Sequence, residues 1–436
     1  MKEIKKMLML LCMSMLVFQG CSEDDSTGGS GGTGSNDDTI EVAGTYSFNG
    51  RFDDTGSSVS YSGQVVRNLL ISGIKSMLET GNAVNEDDLT ALYNNASAGD
   101  VVSGVAYTDI SSSKLENKIA SSTNTPAFPG TVSWGGSDYD PQALMEAWFA
   151  AAESATANAG GWSVGAGGLH MNQMIGKGLL GMVSYWQGST VYFNKVMGTT
   201  PFVTPTGDET AADNSMAYVD DNDTEDDASD DVTKAYTSME HYWDEAFGYF
   251  GAALDYGDQD NSTRRESGSA STADEYKQQV NYDWAKYAAK RGFDDVLWNA
   301  FYTGRALITA EASTIEIQEQ IDIIVEAWEK LIAANIVHYA NDVAGFIVDD
   351  AFDCSSDDTC QKYWSEMRAF GLCMQFNAYS TFAAHSDYAA MLTAMGETPP
   401  DAAGGAAFKE GVTATNAAFQ THFGFTDAEV SSDTGF

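Results

Sequence analysis

Two short stretches hold most of the side chains that could do chemistry. The first is Glu240-His241-x-x-Asp244-Glu245, set in the run Tyr236–Gly251, where six aromatics and two glycines fall within sixteen residues. On a helix, His241 meets Asp244 and Glu245 three and four positions on. An imidazole beside carboxylates is half of a metal site. It is also, and more commonly, an ordinary salt-bridged helix surface. One helix supplies too few ligands, so a metal would need a further residue such as His170, His338 or His385. Tyr236, Met239, Trp243, Phe247 and Phe250 share the apolar face. Glu240 lies at its margin and is expected semi-buried, opposite Lys177, Arg67 or Arg305.

The second stretch is Leu169–Trp186. At about 100° per residue, His170, Gln173, Lys177 and Ser184 form one polar stripe on an otherwise apolar or glycine surface. Such a stripe must be hydrogen-bonded or wet. It either lines a ligand, with His170 as the metal-capable member, or forms a buried network. Lys177 suits the network, because an ammonium disfavours a nearby cation. Iron, zinc and calcium are the candidate metals, and no residue is assigned a catalytic role. The chain has no H-E-x-x-H and no G-x-S-x-G, so hydrolytic machinery is not supported. The Gly165–Gly168 run lacks the Lys-Ser/Thr of a phosphate loop.

These residues need helices to position them. Apolar spacing predicts helices over Gln64–Leu78, Asp87–Asn94 and Ser112–Ala120. Asp140-Pro141 is a helix start, with Gly160-Gly161 at its end. A long helix should run from Leu169 to about Met197, then one over Tyr236–Gly251. Trp284–Arg291, Phe293–Thr309, a long amphipathic helix through Ile317 and His338, Tyr363–Tyr379 and Ala403–Phe423 follow. Ile40–Asp53 is the one strand-like stretch of the front half. The expectation is an all-α helical bundle, single or as two stacked half-bundles, with minor β structure at the N-terminus. The helical domain covers 41–430, with an acidic loop at about 199–232. From Asp208 to Asp231 there are eleven acidic residues and no basic one. A solvated loop is the default; calcium binding lacks the EF-hand pattern.

The first twenty residues read as a targeting segment, with Lys2, Lys5 and Lys6 before an apolar run that is too short to span a bilayer. Leu16-Val17-Phe18-Gln19-Gly20-Cys21 resembles the lipobox of bacterial lipoproteins, so Cys21 is the expected lipidation site. Glu23, Asp24 and Asp25 resemble a surface-export signal of Bacteroidetes lipoproteins, and residues 21–40 read as a flexible tether. The expected address is the outer membrane, facing outward, with membrane contact through the lipid anchor only. Cys354 and Cys360 bracket a short polar loop and could close it as a disulfide, leaving Cys373 buried. A net charge of −41, from 63 acidic against 22 basic residues, excludes a general nucleic-acid partner.

Three blocks resemble a known family. They are Gly168–Gly181, Met239–Gly251 and Gly304-Arg305-Ala306, with Tyr61–Gln64 near the front. Together they resemble an uncharacterised lipoprotein family typical of Bacteroidetes, a domain of unknown function (the 4856 family). That family looks related to the imelysin-like, iron-regulated proteins of the cell envelope. The resemblance implies a two-bundle helical fold and a Gly-x-His-x-x-Glu metal motif. Here Gln173 stands where that motif has Glu, and an amide is a poor ligand for a hard cation. The resulting expectation is a surface-exposed, lipid-anchored binding protein assisting iron or other metal acquisition, taking a metal ion or small ligand, with an outer-membrane receptor as a further partner. The alternatives are a glycan- or nutrient-binding lipoprotein, or an imelysin-like metallopeptidase.

Overall fold

A computed structural model describes residues 40–436, apart from 53–55, 80–83, 97–112, 159–160, 221–230, 269, 271–272, 349–351 and 433. Cys21, the targeting segment, the tether and the centre of the acidic loop lie outside the described residues. The fold is mainly helical, as expected. Its helices are α1 (Ser62–Glu79), α2 (Glu86–Tyr93), α3 (Pro141–Glu153), α4 (Met171–Leu179), α5 (Tyr192–Met197), α6 (Ser238–Phe250) and α7 (Asn261–Arg264). They continue as α8 (Ala273–Gln279), α9 (Asp283–Arg291), α10 (Asp294–Thr309), α11 (Thr314–Phe346), α12 (Asp358–Cys373), α13 (Ser386–Met395) and α14 (Gly405–Phe423). Among the described residues the strands are short antiparallel pairs: Val132–Trp134 with Ser137–Tyr139, Thr156–Ala157 with Ser163–Val164, and Val219–Asp220 with Val232–Thr233.

The long α11 is the central element. Its capping box joins Ser313 and Glu316: the Glu316 N–H donates to Ser313 Oγ at 3.4 Å, and the Ser313 N–H to Glu316 Oε2 at 3.0 Å. Its buried face, through Ile321, Ile324, Trp328, Leu331 and Ile336, packs against α10, α12 and α14. Residues 41–436 pack as one unit.

Local departures from the expected elements have identifiable causes. Ser112–Ala120 was expected to be helical, but its described part makes turns. There the Ala120 N–H leaves any local ladder and donates to Met182 O at 2.7 Å. Helix α3 starts on its Asp140 cap, with the Gln142 N–H donating to Oδ1 at 3.0 Å. It stops at Glu153, and Gly161, at φ 80°, belongs to the hairpin that follows. Ile40–Asp53 contributes one isolated bridge, Asn49 to Ser57. The helix expected at Tyr363–Tyr379 begins earlier and ends at Cys373. Helix α13, under weak periodicity, was not expected.

The largest departure lies after α4. Leu180–Tyr185 and Gln187–Val191 are π-helical turns, and every residue in them is buried. The carbonyls of this stretch are drawn to partners outside it. Leu180 O accepts from Trp284 Nε1 at 3.1 Å, and Met182 O accepts the Ala120 N–H. Diverted acceptors loosen the i→i−4 ladder and favour the wider turn. This shift takes Ser184 off the α-helical stripe that its spacing predicted.

Candidate functional site

The Glu-His-x-x-Asp-Glu cluster is split across α6. Glu240 is fully buried and uses both oxygens. One accepts the Thr237 N–H at 2.8 Å, completing a capping box. The other accepts from Arg305 Nη1 at 2.8 Å and from Thr309 Oγ1 at 3.1 Å, with Arg51 Nε at 3.4 Å. Asp244 faces the same way. Its Oδ1 accepts from Arg305 Nε at 3.0 Å and from the Tyr46 hydroxyl at 2.9 Å, and its Oδ2 accepts the Ser60 N–H at 3.1 Å. Arg305, itself fully buried, also donates to Ser58 Oγ at 2.8 Å. Burial pushes the Asp244 carboxyl above its ordinary value, and Arg305 opposes that. Arg305 is one of the three partners anticipated for Glu240, beside Lys177 and Arg67, and Glu240 is buried, not semi-buried. The expectation that Asp244 meets His241 fails, because the guanidinium fork claims it.

His241 lies on the other side. Its Nε2 is 3.7 Å from Glu245 Oε2, and its ring stacks on Tyr236 at 5.0 Å. Glu245 also accepts from Gln64 Nε2 at 2.8 Å. The family-like blocks therefore interlock. Trp243 of the Met239–Gly251 block lies against Gly304 of the Gly304-Arg305-Ala306 block, where an added Cβ would come within 2.0 Å of the indole. The next residue, Arg305, binds Glu240 and Asp244. This joint holds the fold together, with no carboxylate left over for a ligand.

His170, Gln173 and Lys177 converge on α12. The Lys177 ammonium, buried, donates to Glu366 Oε1 at 2.9 Å and to Gln173 Oε1. Burial pulls Lys177 down, but Glu366, Tyr339 and Asp283 outweigh it and hold the ammonium charged. Next to it, Lys75 contacts Asp283 Oδ2 at 2.5 Å and Lys286 contacts Oδ1 at 3.0 Å. The backbone N–H of His170 donates to Ser365 Oγ at 3.1 Å. Neither ring nitrogen makes a well-formed hydrogen bond, nor does Glu366 Oε2 or Ser184 Oγ. The buried-network reading of the stripe thus holds for Gln173 and Lys177. Glu366 and Asp283 were not legible as partners, because nothing in the sequence says that α9 and α12 face α4. Among the described residues, no group of three or more His, Cys, Asp or Glu is placed to hold a metal.

Burial lowers the His170 imidazole from 6.5 to about 4, with Asp358 and Glu366 pulling the other way. The folded value lies below the unfolded one. This contribution to stability is therefore complete above pH 6.5 and is lost as the pH falls toward about 4. Between pH 7 and pH 5 the wild type should lose about 2 kcal/mol more than His170→Leu. Urea unfolding at both pH values measures the difference, and equal losses would refute it.

Cys354 and Cys360 form the anticipated disulfide, and Cys373 is free and buried. Sequence reasoning missed a pair of open clefts that meet at Tyr379. One, of about 280 Å³, lies between α11, the 377–385 loop and the end of α14, with Asp322, Glu326, Glu329, Thr381 and His422 on its walls. The buried Glu329 accepts from the Ser380 hydroxyl and from the Phe382 N–H at 3.3 Å. Burial raises its carboxyl, and Glu326 adds to the rise. His422 Nε2 is 2.8 Å from Thr381 Oγ1. Burial and then His385 lower its imidazole. The second cleft, of about 430 Å³, is walled by Asn194, Thr200, Phe202, Gln318 and Tyr379. Both sizes are ordinary for small-ligand sites.

Buried charge joints and open polar clefts on a helical unit define a helical protein with a ligand-sized surface site. Residues 43–376 match the family described as a domain of unknown function (DUF4856), and the chain belongs to that family. No curated protein and no solved structure matches it. The matched residues contain both charge joints but stop short of Tyr379, Thr381 and His422.

Proposed function

We propose that the mature chain is a binding protein, lipid-anchored through Cys21 on the outer face of the outer membrane, and that the clefts meeting at Tyr379 are its ligand face. The anchor rests on the apolar run ending at Gly20-Cys21. The Cys354–Cys360 disulfide supports an oxidising compartment. No helix among the described residues is long and apolar enough to cross a membrane. One observation carries the binding role: two clefts share Tyr379, and one of them has a buried Glu329 on its wall.

Metal acquisition is the second reading, and its donors fit poorly. Arg305 holds Glu240 and Asp244, and the Lys177 ammonium sits between Gln173 and Glu366. What favours it is His170, buried and mainly neutral, with no well-formed bond on either ring nitrogen. Purified mature protein titrated with iron, zinc and calcium, and screened by ligand-observed NMR against a small-molecule library, separates the two. The expected result is small-molecule binding lost in Tyr379→Ala and kept in His170→Ala. Stoichiometric metal binding lost only in His170→Ala would replace this reading with metal acquisition.

A further inference from the structure

The two clefts differ in a way that identifies a class of ligand. The one beside α14 is rich in acceptors: Asp322, Glu326 and Glu329 line it, and Lys330 offsets one charge by contacting Glu326 Oε1 at 2.7 Å. Anions are repelled there. The second cleft has no charged side chain on its walls; it offers the Gln318 amide, the Thr200 and Thr204 hydroxyls, and aromatic surface, while Asn194 holds the Thr199 and Tyr379 hydroxyls behind them. An organic cation would explain the first cleft and leave the second without a purpose. A neutral ligand rich in hydroxyl donors, with apolar ring faces, explains both.

The aromatics are presented accordingly. Tyr379 stands between the clefts, 40% exposed, with its hydroxyl fixed by donating to Asn194 Oδ1 at 3.1 Å. Phe202 is 47% exposed. One face of its ring stacks on Trp186 at 5.8 Å and 19°. Its backbone is left-handed, φ 61°, a costly conformation for phenylalanine. Strain that turns an apolar ring toward solvent is expected where the ring has a use. Polar groups link the two ledges, since Gln318 Nε2 of the second cleft donates to Asp322 Oδ1 of the first at 2.7 Å. The electron-rich ring faces attract the C–H edges of a pyranose, while carboxylates and amides take its hydroxyls.

From this geometry we infer that the groove binds a neutral oligosaccharide, one sugar ring against Tyr379 and another against Phe202, with hydroxyls donated to Asp322 and Glu326. The inference rests on the clefts being the ligand face. The test is calorimetric titration with neutral di- to hexasaccharides of α- and β-linked glucose, mannose, xylose and N-acetylglucosamine, with spermidine and choline as cationic probes. At least one oligosaccharide should bind, and Tyr379→Ala and Phe202→Gly should each weaken it by about tenfold or more. Phe202→Gly removes the ring and also relieves the left-handed backbone, and urea midpoints kept near wild type in both variants separate a lost contact from a lost fold. Binding of spermidine or choline alone, lost in Tyr379→Ala, would overturn the saccharide and leave the clefts as the ligand face. Saccharide binding unchanged in both variants would overturn the inference by moving the site elsewhere. No binding by any probe would overturn both the inference and the cleft reading beneath it.

Discussion

Arg305→Ala is expected to cost about 3–5 kcal/mol of stability, because it leaves two buried carboxylates without their counter-charge. Glu240, Asp244 and Arg305 have no exposed side-chain surface. Arg305 makes bonds to both acids, to Ser58 and to Thr309. Water cannot replace these contacts without opening the joint between α6 and α10. Arg51 is near Glu240 at 3.4 Å but also contacts Glu311, so it compensates only in part. The deficit should also depend on pH. Burial raises the folded pKa of Asp244 even with Arg305 present. Without the guanidinium, the neutral carboxyl is favoured more strongly, and the variant loses further stability as the pH rises through that folded value. Urea midpoints at pH 5 and pH 8 should show the larger deficit at pH 8. The triple variant Arg305→Met, Glu240→Gln, Asp244→Asn should recover more than half of it. A loss under about 1 kcal/mol would mean that the joint is hydrated or redundant, against its burial.

How much of this could be read from the sequence differs from residue to residue. Several helix positions were legible from a cap or a period: Asp140-Pro141 before α3, Gly251 after α6 and the isoleucine spacing of α11, whereas the spacing of Ser112–Ala120 misled. Local pairs on one helix were legible too, as with His241 and Glu245. Long-range partners were only partly so. Arg305 could be named for Glu240 only as one of three candidates, with Lys177 and Arg67, because buried carboxylates need cations and the chain has few. Glu366 could not be named for Lys177, since acidic residues are abundant and spacing does not encode which helices face each other. Asp244 was misplaced for a related reason. Periodicity put it one turn from His241, but Arg305 and Tyr46 lie on its inner side, and burial decided the outcome. The π turns escaped because the diverting groups, Trp284 and Ala120, lie far away in the chain. The clefts escaped because they form where α11 and the end of α14 meet the 377–385 and 199–205 loops, and spacing along one helix does not encode which loops face it.

Lys177→Met should likewise cost about 3–5 kcal/mol, and it bears on function as well as on stability. Methionine keeps much of the lysine volume, so the loss reports charge more than packing. What remains is Glu366, buried on α12 with Oε2 already unbonded and Oε1 deprived of its ammonium. Neighbouring cations cannot substitute, because Lys75 and Lys286 are committed to Asp283. Adding Glu366→Gln to Lys177→Met should restore more than half of the loss, and a double-mutant cycle in urea measures the coupling. A coupling near zero would refute the pairing. The same variant probes the metal reading. In the wild type, the Lys177 ammonium already neutralises Glu366 through Oε1. Without it, an unpaired carboxylate and the buried His170 imidazole remain on the α4–α12 face, and Gln173 is released from its bond to Lys177. Lys177→Met should therefore bind zinc more tightly than the wild type, and zinc should raise the urea midpoint of the variant. Zinc binding equal in wild type and variant would show that Lys177 does not guard the face. Gain of binding in the variant alone would show that the Lys177 ammonium keeps a cation off this face.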